Sequence, residues 1–509
     1  MATPSEKLAE SLAALRAIQQ GRADAIRTGD LSRTHRERLL ENGFLQEVMK
    51  GWYIPARPDE QAGESTAWYA SFWRFCAAYL GDRFKQNWCL SPEQSLFLHA
   101  GNWTVPRQLL VRTPKGGNKP TELPHGTSIF DVRASLPDAE QQETINGLLV
   151  FSLPTALVQI GRGMFRANAT DVRAVLAMVQ DDSEVLSILL NGGHSVIAGR
   201  LAGAFRNIGR ERIADGILDG MKSAGYKVSE TDPFEEASSL LFTVREASPY
   251  VTRMRLDWQA MRGDIIETFP PAPNASIDID AYMKNVEDVY VTDAYHSLSI
   301  EGYRVSEELI EKVRDETWNP DDEEDREHRN ALAARGYYDA FQAVKDSVRK
   351  VLKGAGAGDT ADADHGKWYR ELFSPSITAG ILQPGDLAGY RNGPVHIRQS
   401  MHTPPAKEAV RDLMPAFFDL LREEKDAAVR IVLGHFVFVF IHPYIDGNGR
   451  MGRFLMNVMM ASGGYPWTVI NIDGRDQYMA ALEQASVHKN IKLFSRFLAA
   501  NMGDVKKAG

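Results

Sequence analysis

The chain has 509 residues, of which 44% are hydrophobic and 25% are charged, so its composition excludes global disorder and its length predicts several domains. The formal net charge of −9 argues against a polyanion-binding surface over the whole molecule, although it is compatible with one basic face. Two cysteines, Cys76 and Cys89, exclude a disulfide framework, and the charged N-terminus lacks the apolar core of a signal peptide, so we expect a cytoplasmic protein.

Residues 1–60 predict a winged helix-turn-helix domain. Apolar residues at helical spacing indicate a helix over 8–20, and a second short helical piece follows at about 22–28. Ser32 or Thr34 can cap a third helix that ends before Gly43. The sequence FLQEVMKGWYIP then predicts a β-hairpin with its turn at Lys50-Gly51.

Basic residues are concentrated on the third of these helices. Arg33, Arg36 and Arg38 lie on it and Lys50 lies at the hairpin tip, as phosphate and groove contacts with DNA require. Residues 1–58 hold nine basic and seven acidic residues, so a DNA-binding role and a protein-docking role both remain open.

Residues 65–228 predict a mixed α+β domain, and 229–276 predict a linker region. We expect strands at 95–100, 107–113, 128–134 and 147–153, separated by Gly/Pro loops. We expect helices at 156–161, 170–180, 183–191 and 195–205.

Residues 277–502 are predicted to be almost entirely helical. The expected helices are 280–296, 305–316, 328–352, 365–373, 406–422, 425–441, 450–462 and 474–500. The acidic run 321–327 and the Gly/Ala/Asp segment 354–364 are predicted to be solvated loops. The apolar run 431–441 is too short to cross a bilayer, so no membrane partner is expected.

A Gly/Asn-rich turn follows the apolar helix 425–441 and carries most of the chemistry. Pro443 ends that helix, and a second apolar helix begins near Arg450. Such a turn at a helix N-terminus presents free backbone N–H groups to an anion such as phosphate. Arg450 and Arg453 can face the same anion, Asp446 offers an oxygen ligand suited to Mg²⁺, and His442 has the pKa range of a general base.

The segment HPYIDGNGRMGR (442–453) resembles the signature of the Fic family, H-x-F-x-D/E-G-N-G-R-x-x-R, with Tyr444 in place of Phe. The resemblance extends over 277–502. It implies a mainly α, all-helical Fic core with a β-hairpin flap, which transfers AMP from ATP to a hydroxyl side chain of a target protein or of the chain itself. We expect Tyr444 to bury its ring.

The resemblance assigns roles to individual residues of the signature. It implies that His442 deprotonates the target hydroxyl and that Asp446 holds Mg²⁺. The phosphates would bind Asn448 and the backbone of 447–450, with Arg450 and Arg453 at the β/γ end. Related Doc phosphotransferases carry Lys where this chain has Gly449, so Gly449 favours nucleotidyl transfer over phosphorylation. Gly447, Asn448 and Gly449 all belong to the ATP site that the resemblance implies.

Two further segments gain a role from the same resemblance. RDQYMAAL (475–482) is similar to a family segment whose aromatic ring lies near adenine, which assigns Tyr478 to ATP binding. Val395, His396, Ile397 and His402 lie where the family has its flap, a hairpin edge that aligns the target backbone. A simple surface hairpin is the alternative.

The segment Ser297-Leu-Ser-Ile-Glu301-Gly302 resembles the inhibitory motif of the family, S/T-x-x-x-E-G/N. Its spacing places Ser297 and Glu301 on one helical face, where Ser297 can hold the carboxylate. The resemblance implies that Glu301 pairs with Arg453 and thereby prevents productive binding of ATP.

Residues 22–58 resemble the winged helix of type IV, abortive-infection (AbiEi-like) antitoxins, and 91–101 and 151–163 resemble the next domain of those proteins. The resulting hypothesis is an autoinhibited protein adenylyltransferase with a DNA-binding N-terminal module, which implies operator DNA as a partner. Two alternatives remain open. One is a transcriptional regulator that senses nucleotide with little turnover, and the other is a de-AMPylating enzyme in which Glu301 activates water.

Overall fold

The computed structural model of the chain describes residues 3–20, 25–58, 65–242, 244–273, 277–318 and 325–502. The chain forms two compact units. The first comprises Met1–Arg253 together with His396–Thr403, and the second comprises Met254–Val395 and Pro404–Gly509. The predicted boundary at residue 276 therefore lies inside the second unit.

The first unit contains ten helices and nine strands within its described residues. The helices are α1 (Pro4–Gln20), α2 (Arg33–Glu41), α3 (Thr66–Phe84), α4 (Pro92–His99), α5 (Leu153–Gln159), α6 (Arg162–Ala167), α7 (Ala169–Met178), α8 (Ser183–Gly192), α9 (Ser195–Asn207) and α10 (Glu211–Ser223). The strands are β1 (Ile26–Arg27), β2 (Leu45–Met49), β3 (Trp52–Pro55), β4 (Cys89–Leu90), β5 (Gln108–Thr113), β6 (Pro120–Glu122), β7 (Ser128–Arg133), β8 (Gln142–Ile145) and β9 (Leu148–Phe151).

A small core of its own organises the N-terminal part of this unit. Leu15 of α1, Leu39 of α2 and Leu45 of β2 pack together, and Ser32 caps α2 by accepting a hydrogen bond from the backbone of His35. The hairpin β2–β3 forms as predicted and pairs with β1 in the order β1-β3-β2. The short helix predicted at about 22–28 is wrong where the structure describes it. Residues 26–27 form a strand instead, because Ile26 pairs with Tyr53. Residues 21–24 lie outside the described residues.

A larger core forms around α3 and a four-stranded sheet of order β4-β5-β7-β6, in which β5 and β7 are parallel. Helix α3 is rich in buried aromatic residues and was not predicted. Strands 107–113, 128–134 and 147–153 are confirmed, as are the four helices predicted between 156 and 205. The strand predicted at 95–100 is wrong, because Ser91 caps a helix there and Pro92 begins its first turn.

The described residues of the second unit form eleven helices. They are α11 (Pro249–Thr268), most of which lies in this unit, α12 (Ile279–Asp288), α13 (Tyr290–Ile300), α14 (Glu307–Arg314), α15 (Asp325–Leu352), α16 (Ala357–Thr378), α17 (Lys407–Glu423), α18 (Ala427–Ile441), α19 (Asn448–Ser462), α20 (Arg475–His488) and α21 (Lys492–Asn501). No described helix is long and apolar enough to cross a membrane.

Three predictions for this half of the chain are wrong. Residues 229–276 are not only a linker, because α11 buries Met254, Trp258, Met261 and Ile265, whose spacing follows one helical face. The segment 354–364 is not a loop throughout, because α16 begins at Ala357 and buries Gly358, Thr360 and Ala361. Part of the acidic run, residues 321–324, lies outside the described residues.

The third wrong prediction is the β-hairpin flap. No strand is present between Arg391 and Ala406, where the chain makes a turn near Arg398 and Gln399. The carbonyl of Met401 accepts from the backbone N–H of Val105 at 3.0 Å, and Gln399 N donates to Thr66 Oγ1 at 3.1 Å. Met401 and Gln399 therefore bond to Val105 and Thr66 of the first unit instead of pairing with each other across a hairpin.

Helices α15 and α16 pack closely at Gly336, which gives a test of the fold. A Cβ at Gly336 lies 2.1 Å from the carbonyl oxygen of Leu372, so Gly336→Ala should lower the free energy of unfolding by about 1–3 kcal/mol. Gly263 of α11 has nothing within 4 Å, so Gly263→Ala should raise it by about 0.5–1 kcal/mol. Urea unfolding of both variants measures the difference, and equal stabilities would contradict this packing.

Candidate active site at the α18–α19 loop

The loop between α18 and α19 owes its shape to two residues with positive φ. His442 ends α18 with φ 54° and donates its backbone N–H to Phe438 O at 3.0 Å, because Pro443 cannot continue the helix. Gly447 has φ 78° and starts α19. A Cβ at Gly447 would lie 2.8 Å from the ring of Phe373, so glycine is required there both by conformation and by space.

The imidazole of His442 is held in one tautomer. Its Nδ1 lies 3.2 Å from Val439 O, and because a carbonyl only accepts, Nδ1 carries the hydrogen and Nε2 keeps a free lone pair. Burial lowers the pKa of His442 to about 4. The hydrogen bond to Val439 O acts in the opposite direction, but its effect is smaller. The side chain is therefore neutral at physiological pH, which is the form that a general base requires.

Asn448 and Tyr444 close the loop on itself. Asn448 Oδ1 accepts from Tyr444 N and Asn448 Nδ2 donates to Tyr444 O, both at 2.9 Å. The ring of Tyr444 is buried and stacks on Tyr369 with centroids 3.8 Å apart, which confirms its expected burial. Asn448 thus holds the loop, and its contact with phosphate stays a prediction.

Arg450 is almost fully buried between two aromatic rings. Its guanidinium lies 5.3 Å from the ring centroid of Tyr303 and 5.1 Å from that of Phe373, and Nη2 lies 3.7 Å from Asp446 Oδ2. Its Nε has no hydrogen-bond partner among the described atoms. A buried donor without a partner is costly, so this group is suited to an incoming anion.

Arg453 pairs with the predicted inhibitory residues. Its Nη2 donates to Glu301 Oε1 at 2.7 Å, and its Nε donates to Ser297 Oγ at 2.8 Å. The prediction that Ser297 holds the carboxylate is therefore wrong, because both its hydroxyl and its carbonyl accept from Arg453. Burial disfavours the charge of Glu301, but the charges of Arg453 and Arg450 outweigh it and lower the Glu301 pKa.

Two glycines make this ion pair possible. Gly302 has φ 89° and turns the chain away immediately after Glu301. A Cβ at Gly449 would lie 2.3 Å from Glu301 Oε1, so any larger residue would collide with the carboxylate in this position.

Asp446 is the expected Mg²⁺ ligand. It is exposed, and its Oδ1 accepts from Gly447 N at 2.6 Å. No group of three or more potential His, Cys, Asp or Glu ligands occurs in the described part of the chain. One carboxylate beside phosphate-binding groups is nevertheless the arrangement in which Mg²⁺ completes its shell with phosphates and water, so the residues fit that ion.

The remaining predicted residues of the second unit lie differently from expectation. Tyr478 is 1% exposed and bonds His435 Nε2 through its hydroxyl at 2.8 Å, and burial raises its pKa to about 12. In this structure its ring lies in the core, so the adenine contact stays a prediction. Of the flap residues, Val395 belongs to the second unit, whereas His396, Ile397 and His402 belong to the first.

The predicted DNA contacts divide into two groups. Arg36 donates to Thr28 O at 2.9 Å, and Arg38 donates to Lys7 O and to Ser11 Oγ, so these two guanidinium groups hold the N-terminal fold together. The prediction that Arg36 and Arg38 face phosphates is not supported here. Arg33 and Lys50 are exposed, although Arg33 pairs with Glu37 at 2.7 Å.

Three residues that were not predicted also shape the site. Tyr303 and Phe373 enclose Arg450, and Arg391 donates to the carbonyl of His442 at 2.8 Å. Tyr303 directly follows the inhibitory segment, which was a usable signal. Nothing in the pattern around Phe373 or Arg391 indicated their contacts with Arg450 and His442, which lie more than fifty residues away in sequence.

Part of the chain is similar in sequence to known proteins. Residues 365–460 match the family model described as Fic/DOC family. The chain is 28% identical over 218 residues to "Protein adenylyltransferase Fic" of Nematostella vectensis, covering 42% of this chain and 47% of that protein. It is 26% identical over 257 residues to the protein of the same name from Drosophila willistoni, covering 46% and 47%.

The matched part thus spans less than half the length of these relatives. Among solved structures, Fic-1 (aa134–508) from C. elegans is 17% identical, with a TM-score of 0.37, covering 66% of this chain and 92% of that one. The family match includes the whole segment 442–453 but not Ser297–Gly302.

The neutral His442 gives a pH prediction. In the unfolded chain an imidazole has a pKa near 6.5, whereas in the folded chain that of His442 is about 4. As pH falls from about 6.5 to 4, His442 binds a proton in the unfolded chain before it does so in the folded chain. The free energy of unfolding therefore decreases over this pH range, whereas His442 does not affect it above about pH 6.5. NMR titration, assigned with His442→Asn, should show the ring neutral at pH 5. A midpoint near 6.5 would contradict its burial.

Proposed function

We propose that the second unit is a protein adenylyltransferase that moves AMP from ATP to a hydroxyl side chain of a target protein. One observation carries the proposal: a neutral imidazole with a free Nε2 stands four residues before Asp446, on the loop that leads directly into the two buried arginines of α19. The family match over 365–460 and the names of the two relatives support the same activity.

The chemistry follows from the residues of the loop. The target hydroxyl oxygen attacks the α-phosphorus of ATP, the bond from that phosphorus to the bridging oxygen breaks, and pyrophosphate leaves. Nε2 of His442 accepts the hydroxyl proton, because Nδ1 is committed to Val439 O. The N–H groups that begin α19 have no helical acceptor and bind phosphate oxygens.

Arg450 and Arg453 bind the β- and γ-phosphates in this proposal, with Arg450 oriented by the rings of Tyr303 and Phe373. Asp446 would hold Mg²⁺, which supplies positive charge that offsets the charge of the phosphates. Tyr478 lies near Arg453 and is the proposed adenine contact.

Glu301 inhibits this reaction in the proposal. Its carboxylate occupies Nη2 of Arg453, so the γ-phosphate meets a negative charge where it needs a positive one. Ser297 strengthens the same state because it orients Arg453 toward Glu301. A charge-assisted bond of this kind is worth about 1.5–3 kcal/mol, and the partial exposure of Glu301 places it at the lower end.

Replacement of Glu301 should therefore activate the protein. We expect Glu301→Gly to raise AMP transfer from labelled ATP, onto itself or onto proteins of a host lysate, by roughly 10-fold or more. Glu308→Gly, which removes an exposed carboxylate seven residues later, is the matched control and should leave the rate unchanged. Equal self-modification by wild type and Glu301→Gly would refute the inhibitory role.

Addition of His442→Ala to Glu301→Gly separates the candidate reactions. Loss of a positioned base costs about 10²–10⁴-fold, so AMP transfer should disappear while ATP binding persists. ATP binding without transfer in Glu301→Gly would favour a nucleotide sensor. Release of AMP from a modified target by wild type but not by Glu301→Gly would favour the de-AMPylating reaction.

We propose operator DNA as a second ligand, bound through α2 and the β2–β3 hairpin. The exposure of Arg33 and Lys50 favours this function, and the resemblance of 22–58 to antitoxins remains a prediction.

If both residues contact phosphates, Arg33→Gln with Lys50→Gln should flatten the slope of log K against log salt by roughly two. Gel shifts with the protein's own upstream region at about 50 and 200 mM salt measure this slope. Lys353→Gln in the second unit is the control. No shift at the lower salt would leave a protein-docking role.

A further inference from the structure

Arg391 is a buried charge that forms no salt bridge among the described residues, although the carboxylate of Glu408 acts on it through space and raises its pKa. It is 3% exposed, and every hydrogen bond that its guanidinium makes in the structure ends on a backbone carbonyl. Burial lowers its pKa to about 10, yet it stays protonated at neutral pH. A guanidinium buried in this way requires a specific compensation.

The compensation comes from the C-terminal end of α18. Arg391 Nε donates to His442 O at 2.8 Å, Nη2 lies 3.4 Å from Ile441 O, and the backbone N–H of Arg391 donates to Pro443 O at 2.9 Å. The last carbonyls of a helix lack helical donors and carry the negative end of its dipole. One residue thus contacts three consecutive carbonyls around His442.

The same guanidinium also contacts the two residues that flank the segment 394–404, one on each side. Nη1 donates to Gly393 O at 3.1 Å and Nη2 donates to Pro405 O. The two ends of that segment are therefore joined to the backbone of His442 through a single side chain.

His442 needs such support. A non-glycine residue in the left-handed region is strained unless its surroundings hold it there, and the φ of His442 is 54°. The bond from Nδ1 to Val439 O fixes the ring only if the backbone at 442 is fixed as well.

We propose that Arg391 is a positioning residue, which holds His442 in its left-handed backbone conformation and couples it to both ends of segment 394–404. Arg391 does not touch the reacting atoms. It acts through the direction in which Nε2 of His442 points, so its loss should affect the chemical step and not the binding of ATP. This inference rests on the proposed transferase activity.

The kinetic test uses Glu301→Gly as the active parent, with Arg391→Lys and Arg391→Met added separately. A base displaced by about 1 Å loses on the order of 10²-fold, so kcat for AMP transfer should fall by roughly 10- to 100-fold while KM for ATP stays within about 2-fold. Lys, which can reach one or two of the carbonyls, should retain more activity than Met. Arg411→Met, which removes an exposed arginine bonded to Asn392, is the matched control and should match the parent.

Hydrogen exchange gives a readout that does not depend on activity. In Arg391→Lys, peptides covering 393–405 and 439–446 should exchange faster, while the first turns of α19 keep their protection. Unchanged kcat, or unchanged exchange at both places, would overturn the proposal. So would uniform loss of protection in both variants together with loss of ATP binding, because this would indicate a general structural role. An inactive Glu301→Gly parent would refute the transferase activity, and exchange would still decide the role of Arg391.

Discussion

The site depends on one constraint, the short connection of two buried helices by residues 442–447. Pro443 and the positive φ values of His442 and Gly447 reverse the chain within those residues. The reversal places the imidazole at the end of one helix and the free N–H groups at the start of the next. An imidazole and the free N–H groups of a helix start thus share one loop, which two hydrogen bonds between Asn448 and Tyr444 close on itself.

The arginines of α19 are balanced by different means. Arg450 faces two aromatic rings and the exposed carboxylate of Asp446 at 3.7 Å, whereas Arg453 forms a closer ion pair with Glu301 at 2.7 Å. The unequal balance means that an anion arriving at the loop meets little competition at Arg450 and strong competition at Arg453. Under the proposed function, this difference lets ATP bind at Arg450 and opposes the binding of its γ-phosphate at Arg453.

Much of the helical half could be predicted because its apolar residues repeat at helical spacing between clear stops, as at α17, α18 and α19. The errors have identifiable physical causes. Helix α16 begins within Gly/Ala/Asp residues because their small side chains fit against α17, with Gly358 against the backbone of Arg422. Strand β1 exists only because β3 offers a partner, a long-range effect that no local pattern contains.

In the candidate site, too, features encoded in a short segment could be predicted and long-range contacts could not. Its signature residues were predictable since they lie within one short segment, and the pairing of Glu301 with Arg453 followed from a second local motif. Ser297 was assigned the wrong partner because helical spacing shows which residues share a face but not what that face meets. The role of Arg391 could not be predicted, because its partners are backbone carbonyls, which every residue carries whatever its side chain.

The two units cannot be separated by cutting the chain at a single position. His396–Thr403 belongs to the first unit, although the chain on both sides of it belongs to the second, and Met401 packs against the large core of the first. The polypeptide therefore passes between the units three times. A gene fusion that exchanged residues 1–253 alone would leave eight residues of the second half without their packing partners, so residues 396–403 would have to be exchanged with them.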